Sequence, residues 1–260
     1  MTMTETFSRD EAIAQAQSYI SGDYTALVLF GSYARGDPGG SSDIDVLQVV
    51  REQRPSYRVG LVNVSVYTEE HLLAMADRGS LFVLHLLREG VVIYDPGQFL
   101  TALRSRFRQP ESYEQFRKEV CAASALLDVD EDTYLRRWSG LYALADNLLR
   151  SLVYSLAHDK GETSFSLTRV SRFLGDERIV HAHEIRERAA STPDLNAYRE
   201  MKDLISYYCG GESKNPFGSI EALIVNSLGV SDLTVVLGLR LLNESGAPIA
   251  YEEFAQTIGI

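Results

Sequence analysis

The sequence predicts an α/β (α+β) domain with a small mixed sheet, followed by an all-α helical bundle. Three observations carry this expectation. Strand-like runs at residues 24–30, 44–50 and 59–67 crowd into the first hundred positions, separated by Gly- or Pro-containing turns. After Gly97 the pattern changes, and apolar residues recur at spacings of three and four. Between the two regimes stands Asp95-Pro96-Gly97, which breaks either kind of element. The expected domains are residues 1–98 and 99–260, with the boundary falling in the stretch 96–110.

In chain order, residues 8–21 read as a helix. Ser8 can cap it, Glu11 stands three positions on, and Ile13, Ala16, Gln17 and Ile20 share a face. Residues 24–30 (YTALVLF) are continuously apolar, as expected of a strand covered on both sides. A Gly-rich loop follows, and then a second strand opening at Asp43. Residues 51–58 (REQRPSYR) read as a polar turn, and residues 59–67 as a third strand alternating around Asn63 and Ser65. Thr68 caps a helix expected to run to about Arg88, Gly90 stops it, and residues 91–94 form a last short strand. In the second domain helices are expected over residues 114–128, 133–158, 167–173, 177–190, 194–208, 220–226 and 234–243. The longest of these carries an apolar stripe from Leu135 to Leu156. Trp138, Tyr142 and Tyr154 fall on or beside it as core residues.

The stretch with chemistry in it is LFGSYARGDPGGSSDIDVL, residues 29–47. Gly31 and Gly36 permit positive φ and leave room for a phosphate against the backbone. Loop N–H groups and the Ser32 hydroxyl can cradle phosphate oxygens. Asp43-Ile44-Asp45 opens an apolar run, so strand alternation puts both carboxylates on one face and Ile44 on the other. Two carboxylates so placed suit a hard divalent cation that also takes triphosphate oxygens. Neither a lone Asp-x-Asp nor a lone Gly-Ser step is informative. Their combination, between two apolar strands, points to a nucleotide and metal site.

This stretch resembles the signature of the DNA polymerase β-like nucleotidyltransferase superfamily. The likeness is to its small bacterial members, the minimal and aminoglycoside nucleotidyltransferases, and covers about the first hundred residues. The resemblance implies transfer of a nucleoside monophosphate from an NTP, such as ATP, to a hydroxyl acceptor, with Mg²⁺ as cofactor. Matched residue by residue, it implies that Gly31 and Ser32 hold phosphate and that Asp43 and Asp45 are the catalytic, metal-holding pair. It also implies that Arg35 contacts a phosphate, with a solvated loop arginine as the alternative reading. Superfamily enzymes generally set a third carboxylate on the next core strand, and the matching position here is Asn63. Asn offers a neutral carbonyl ligand but neither a general base nor full charge for a second metal. Three explanations stay open: a carboxylate from elsewhere (Glu69, Glu70 or Glu119), a reaction without a strong base, or nucleotide binding without turnover. The acceptor is a small, aminoglycoside-like molecule on the first reading, lying between the domains and selected by the helical one. A protein or RNA end, as in toxin–antitoxin systems, is the alternative.

Elsewhere the residues read blandly. His85 and Glu89, four apart on one helix face, suit a core histidine and an end-of-helix acid more than a site. His181 and His183 diverge at i, i+2 and do not suggest a metal site. Arg136, Arg137 and Arg150 either line a cleft or are solvated. The formal net charge of −11 argues against broad nucleic-acid binding, DNA included, which needs clustered cations. No apolar run reaches the roughly 20 residues of a membrane helix, and residues 1–10 lack signal-peptide character. Cys121 and Cys209 lack metal-ligand spacing and are expected as free thiols in a reducing cytoplasm.

Overall fold

A computed structural model describes residues 7–40, 42–189 and 192–243, the last four residues of the 178–189 helix by their backbone only. The expected end of that helix at residue 190, and Ser41 of the Gly-rich loop, lie outside the described residues. The chain divides into two compact units, Met1–Pro110 and Glu111–Ile260.

The first unit is built on a five-stranded sheet in the order β3-β4-β2-β1-β5. Its strands are β1 (Ala26–Phe30), β2 (Ile44–Val50), β3 (Tyr57–Val59), β4 (Val62–Thr68) and β5 (Val91–Tyr94). Only the β2–β4 pair is parallel, and the other three pairs are antiparallel. Alternation sorts the side chains onto two faces. On one, Leu27 and Leu29, Ile44 and Val46, and Val62, Val64 and Val66 pack with Ala12 and Ala16 of α1 (Arg9–Tyr19) and with Tyr33 and Ala34 of α2 (Gly31–Arg35). On the other, Phe30 and Tyr67 meet the Phe82 ring of α4 (Leu81–Glu89), each with centroids 5.6 Å apart. Ser8 and Glu11 close the capping box of α1 in both directions.

Among the differences from the sequence reading, two arise at a single glycine each. Residues 59–67 are not one strand: Gly60, at φ 59, turns the chain so that β3 folds back antiparallel on β4. The helix expected over 68–88 is two helices, α3 (Glu69–Asp77) and α4, broken at Gly79. Gly79 has φ 72, and a Cβ there would stand 2.4 Å from the Arg108 carbonyl oxygen, so the break requires glycine twice over. A further helix, α5 (Phe99–Arg106), belongs to the first unit and is tied to α3 by the Arg106–Asp77 ion pair at 2.7 Å.

The described residues of the second unit form helices and the loops that join them. α6 (Glu114–Ala123) runs into a short 3₁₀ turn, and α7 (Glu131–Asp159) forms the centre, with Leu141, Ala145, Leu148 and Leu152 buried. Around them lie α8 (Leu167–Leu174), α9 (Arg178–Ala189), α10 (Leu195–Cys209), α11 (Ile220–Ser227) and α12 (Asp232–Leu242). Asp146 of α7 is fully buried, its carboxylate 2.8 Å from His183 Nδ1 of α9 and 3.3 Å from Arg150 Nε. Arg150 and His183 are therefore structural here, and so is Arg137, which donates to the Leu241 carbonyl at 3.0 Å.

The cysteines correct the sequence reading: Cys121 and Cys209 are not free thiols but form a disulfide joining α6 to α10, with Cα atoms 5.5 Å apart. Their separation of 88 residues carried no pairing signal; helix packing brings them into bridging range. Closing so long a loop restricts the unfolded chain, and reduction should destabilise the second unit by about 4 kcal/mol. Trp138, the single tryptophan, lies on α7 and reports on this unit alone. Urea unfolding followed by its emission should shift to lower midpoint with reductant, whereas an unchanged midpoint would dispose of the cross-link.

Candidate functional site

The sheet's pairing register assembles the site. β1 ends at Phe30, which is opposite Asp45 across the antiparallel β1–β2 pair. Asp45 is in turn opposite Asn63 across the parallel β2–β4 pair, and Asn63 is opposite Arg58 across β3–β4. Directly opposed residues project to the same face, so Phe30, Asp45, Asn63 and Arg58 form one transverse row at one end of the sheet. Asp43 comes just before β2 at this same end.

Polar contacts lock the row. Asn63 Nδ2 donates to Asp45 Oδ1 at 3.1 Å. Arg58 pairs with Asp43 through Nη2 and Oδ1, while its Nε donates to the Gly60 carbonyl at 3.1 Å. The neighbouring Tyr57 fastens β3 from its other face, its phenol donating to Gln48 Oε1 at 3.0 Å. Burial keeps that phenol above its usual pKa, against a smaller opposing effect of Arg54.

The loop side is set by Gly31, which opens α2 with φ 73. A Cβ placed on Gly31 would stand 2.5 Å from Asp45 Oδ2. The backbone thus approaches the carboxylate more closely than any other residue allows. Ser32 follows in the first turn of α2, whose N-terminus has no side-chain cap. Gly36, at φ 82, closes the helix. Arg35 does not extend into solvent: it bonds Asp37 at 3.0 Å and Glu89 at 3.2 Å, with its side chain 17% exposed. Glu89 also lies 3.3 Å from His85 Nε2, whose ring packs edge-on against Phe30. The histidine is core and the glutamate is half-buried beside it, and through Arg35 the glutamate joins α4 to α2.

Within the first unit, the structure sets Glu69 and Glu70 apart from the row. Glu69 and Glu70 follow Thr68 at the far end of β4, five residues past Asn63, roughly 16 Å away along the strand. There they line a separate 780 Å³ cavity with Arg51, Asp77 and Arg106. That cavity lies at the opposite end of the strands from Asp43 and Asp45. Glu119 belongs to the second unit, where Gln115 donates to it at 3.2 Å. Among the described residues no three His, Cys, Asp or Glu side chains converge in a metal-holding group. The donor set of two Asp carboxylates and the Asn63 amide still fits a hard cation, since all its donors are oxygens. Arg58 is the one member that sequence reasoning missed. It sits in a stretch that reads as a polar turn, and only strand pairing shows that it faces Asp43.

A family model described as a nucleotidyltransferase domain matches residues 14–85, a span holding Gly31, Ser32, Arg35, Asp43, Asp45, Arg58 and Asn63. No curated protein matches the chain.

Gly31→Ala should strain a left-handed backbone and press on Asp45, costing about 1–2 kcal/mol. Amide hydrogen exchange should show β1 and the start of β2 less protected in this variant. Unaltered protection would mean that the approach of loop to carboxylate is not a constraint.

Proposed function

We propose, taking residues 14–85 as a nucleotidyltransferase domain of the polymerase β-like superfamily, that the chain transfers a nucleoside monophosphate from an NTP to a hydroxyl acceptor. One observation supports the reading: the register pairs Phe30 with Asp45 and so brings the next residue, Gly31, against the Asp45 carboxylate, where a backbone that would hold phosphate and a carboxylate that would hold a cation lie at one end of the sheet. A structural loop needs no such approach. Asp43 and Asp45 would hold Mg²⁺, and Gly31 and Ser32 the triphosphate. Bound there, Mg²⁺ would neutralise charge developing on the phosphates. Asn63 fixes Asp45 through its amide and takes no proton. Glu89 holds Arg35 beside the loop, where its guanidinium would meet phosphate oxygens. In the transfer the acceptor oxygen bonds to the α-phosphorus, the α–β bridging bond breaks, pyrophosphate leaves and the acceptor proton passes to water. ATP is the first donor to try, and a small polyhydroxylated, cationic molecule the first acceptor.

The Asn63 position favours a second reading, a module that binds nucleotide without turnover. A protein or RNA acceptor is the other variant of the first. A cytoplasmic setting suits an NTP-using protein, and no described helix is long and apolar enough to cross a membrane. The Cys121–Cys209 bridge weighs the other way, because such bridges are rare where thiols are kept reduced.

The test is incubation with α-phosphate-labelled ATP, Mg²⁺ and an aminoglycoside panel, following pyrophosphate release and labelled product. Asp45→Asn should slow release at least about a hundredfold. Equal rates in wild type and variant would remove Asp45 from the chemistry. Tight ATP binding with no release would select the binding module.

A further inference from the structure

The geometry points to a site that takes a single divalent cation with its nucleotide, in which the Arg58 guanidinium supplies the second positive charge. The inference rests on the nucleotidyltransferase reading and deepens it. Asp43 and Asp45 carry two negative charges, Asn63 none, and Arg58 one positive charge, so the row is net −1 where three carboxylates alone would give −3. Two dications side by side repel four times as strongly as two single charges at the same distance, and carboxylates between them normally offset this. The Asn63 position removes one such carboxylate. The same transverse row then brings a permanent cation to the remaining pair, through Arg58 opposite Asn63 and bonded to Asp43. One dication against this row leaves the same net charge, +1, as two dications against three carboxylates.

Arg58 is built for that task. A guanidinium stays charged throughout the working pH range, and its planar fork matches phosphate oxygens in pairs. The Gly60 carbonyl holds Nε at 3.1 Å, which aims the rest of the fork along the row. The side chain is 43% exposed, so its remaining donors can reach a ligand entering at the strand ends. The pairing with Asp43 neutralises that carboxylate in the free protein, and a triphosphate entering beside it offers the guanidinium a second anion. Arg58 thus acts as a phosphate-binding and positioning residue, and nucleotide and cation affinities depend on it differently.

Mn²⁺ is the probe, counted by electron paramagnetic resonance against bound α,β-methylene-ATP in the full chain. Wild type should hold one Mn²⁺ per nucleotide, and the double variant Asn63→Asp/Arg58→Gln two. Arg58→Gln alone should weaken nucleotide binding about tenfold, while tightening Mn²⁺ binding measured without nucleotide, because Asp43 loses its guanidinium partner. Arg58→Lys, which keeps the charge and loses the fork, should fall between. Far-ultraviolet circular dichroism melts of each variant confirm that the sheet is intact. Two Mn²⁺ per nucleotide in wild type would overturn this inference and leave the nucleotidyltransferase reading standing. So would tighter Mn²⁺ with unaltered nucleotide affinity in Arg58→Gln, since Arg58 would then merely occupy the cation's place. Absence of nucleotide binding in wild type would overturn both.

Discussion

The parallel pairing of β2 with β4 is the constraint on which the candidate site depends. It sets Asp45 opposite Asn63, and the remaining pairings extend that line to Phe30 on one side and Arg58 on the other. A slip of one residue would turn Asn63 to the opposite face and bring a valine toward Asp45. The register is in turn fixed by the apolar alternation: Ile44 and Val46 must face α1 together with Val62 and Val64. Core packing on one face therefore determines the polar row on the other. The same residues that make the sheet stable decide which side chains meet at its end.

Glycine shapes the sheet end at two levels. Gly31 lets the chain turn from β1 into α2 within contact range of Asp45, and Gly60 folds β3 back so that Arg58 joins the row. The Arg35–Glu89–His85 connection then fastens α2 to α4, and through Phe30 to β1. A short five-residue helix would fray by itself. Here it is held by a guanidinium on one side and by Tyr33 and Ala34 in the core on the other.

The fold class and much of the candidate site were legible in the sequence because they rest on local signals. Gly31-Ser32 followed by Asp43-x-Asp45 needs only strand alternation to be read, and Ser8 with Glu11 announces a helix start. What was not legible depended on pairs distant in sequence. Arg58 looked like part of a turn, since nothing local tells that Gly60 reverses the chain. The break at Gly79 is set by the Arg108 carbonyl, almost thirty residues on. Cys121 and Cys209, and likewise Asp146 and His183, meet only when helices from separate parts of the second unit pack. Glu69 and Glu70 appeared as bases because sequence adjacency to β4 hides the length of the strand between them and Asn63.

The Asn63 position separates shape from charge. Asn is nearly isosteric with Asp, so the substitution keeps the row's packing and still fixes Asp45, now by donating a hydrogen bond to it. An aspartate in its place would set two carboxylates side by side and raise the affinity of one of them for a proton unless a cation stood between. With asparagine the row is stable as it stands, since Asp45 has a donor and Asp43 has Arg58. A three-carboxylate row depends on cations to relieve its own repulsion, whereas this row relieves it with its own side chains. Its geometry is thus organised before any ligand arrives, which would lower the reorganisation that a ligand taken there had to drive.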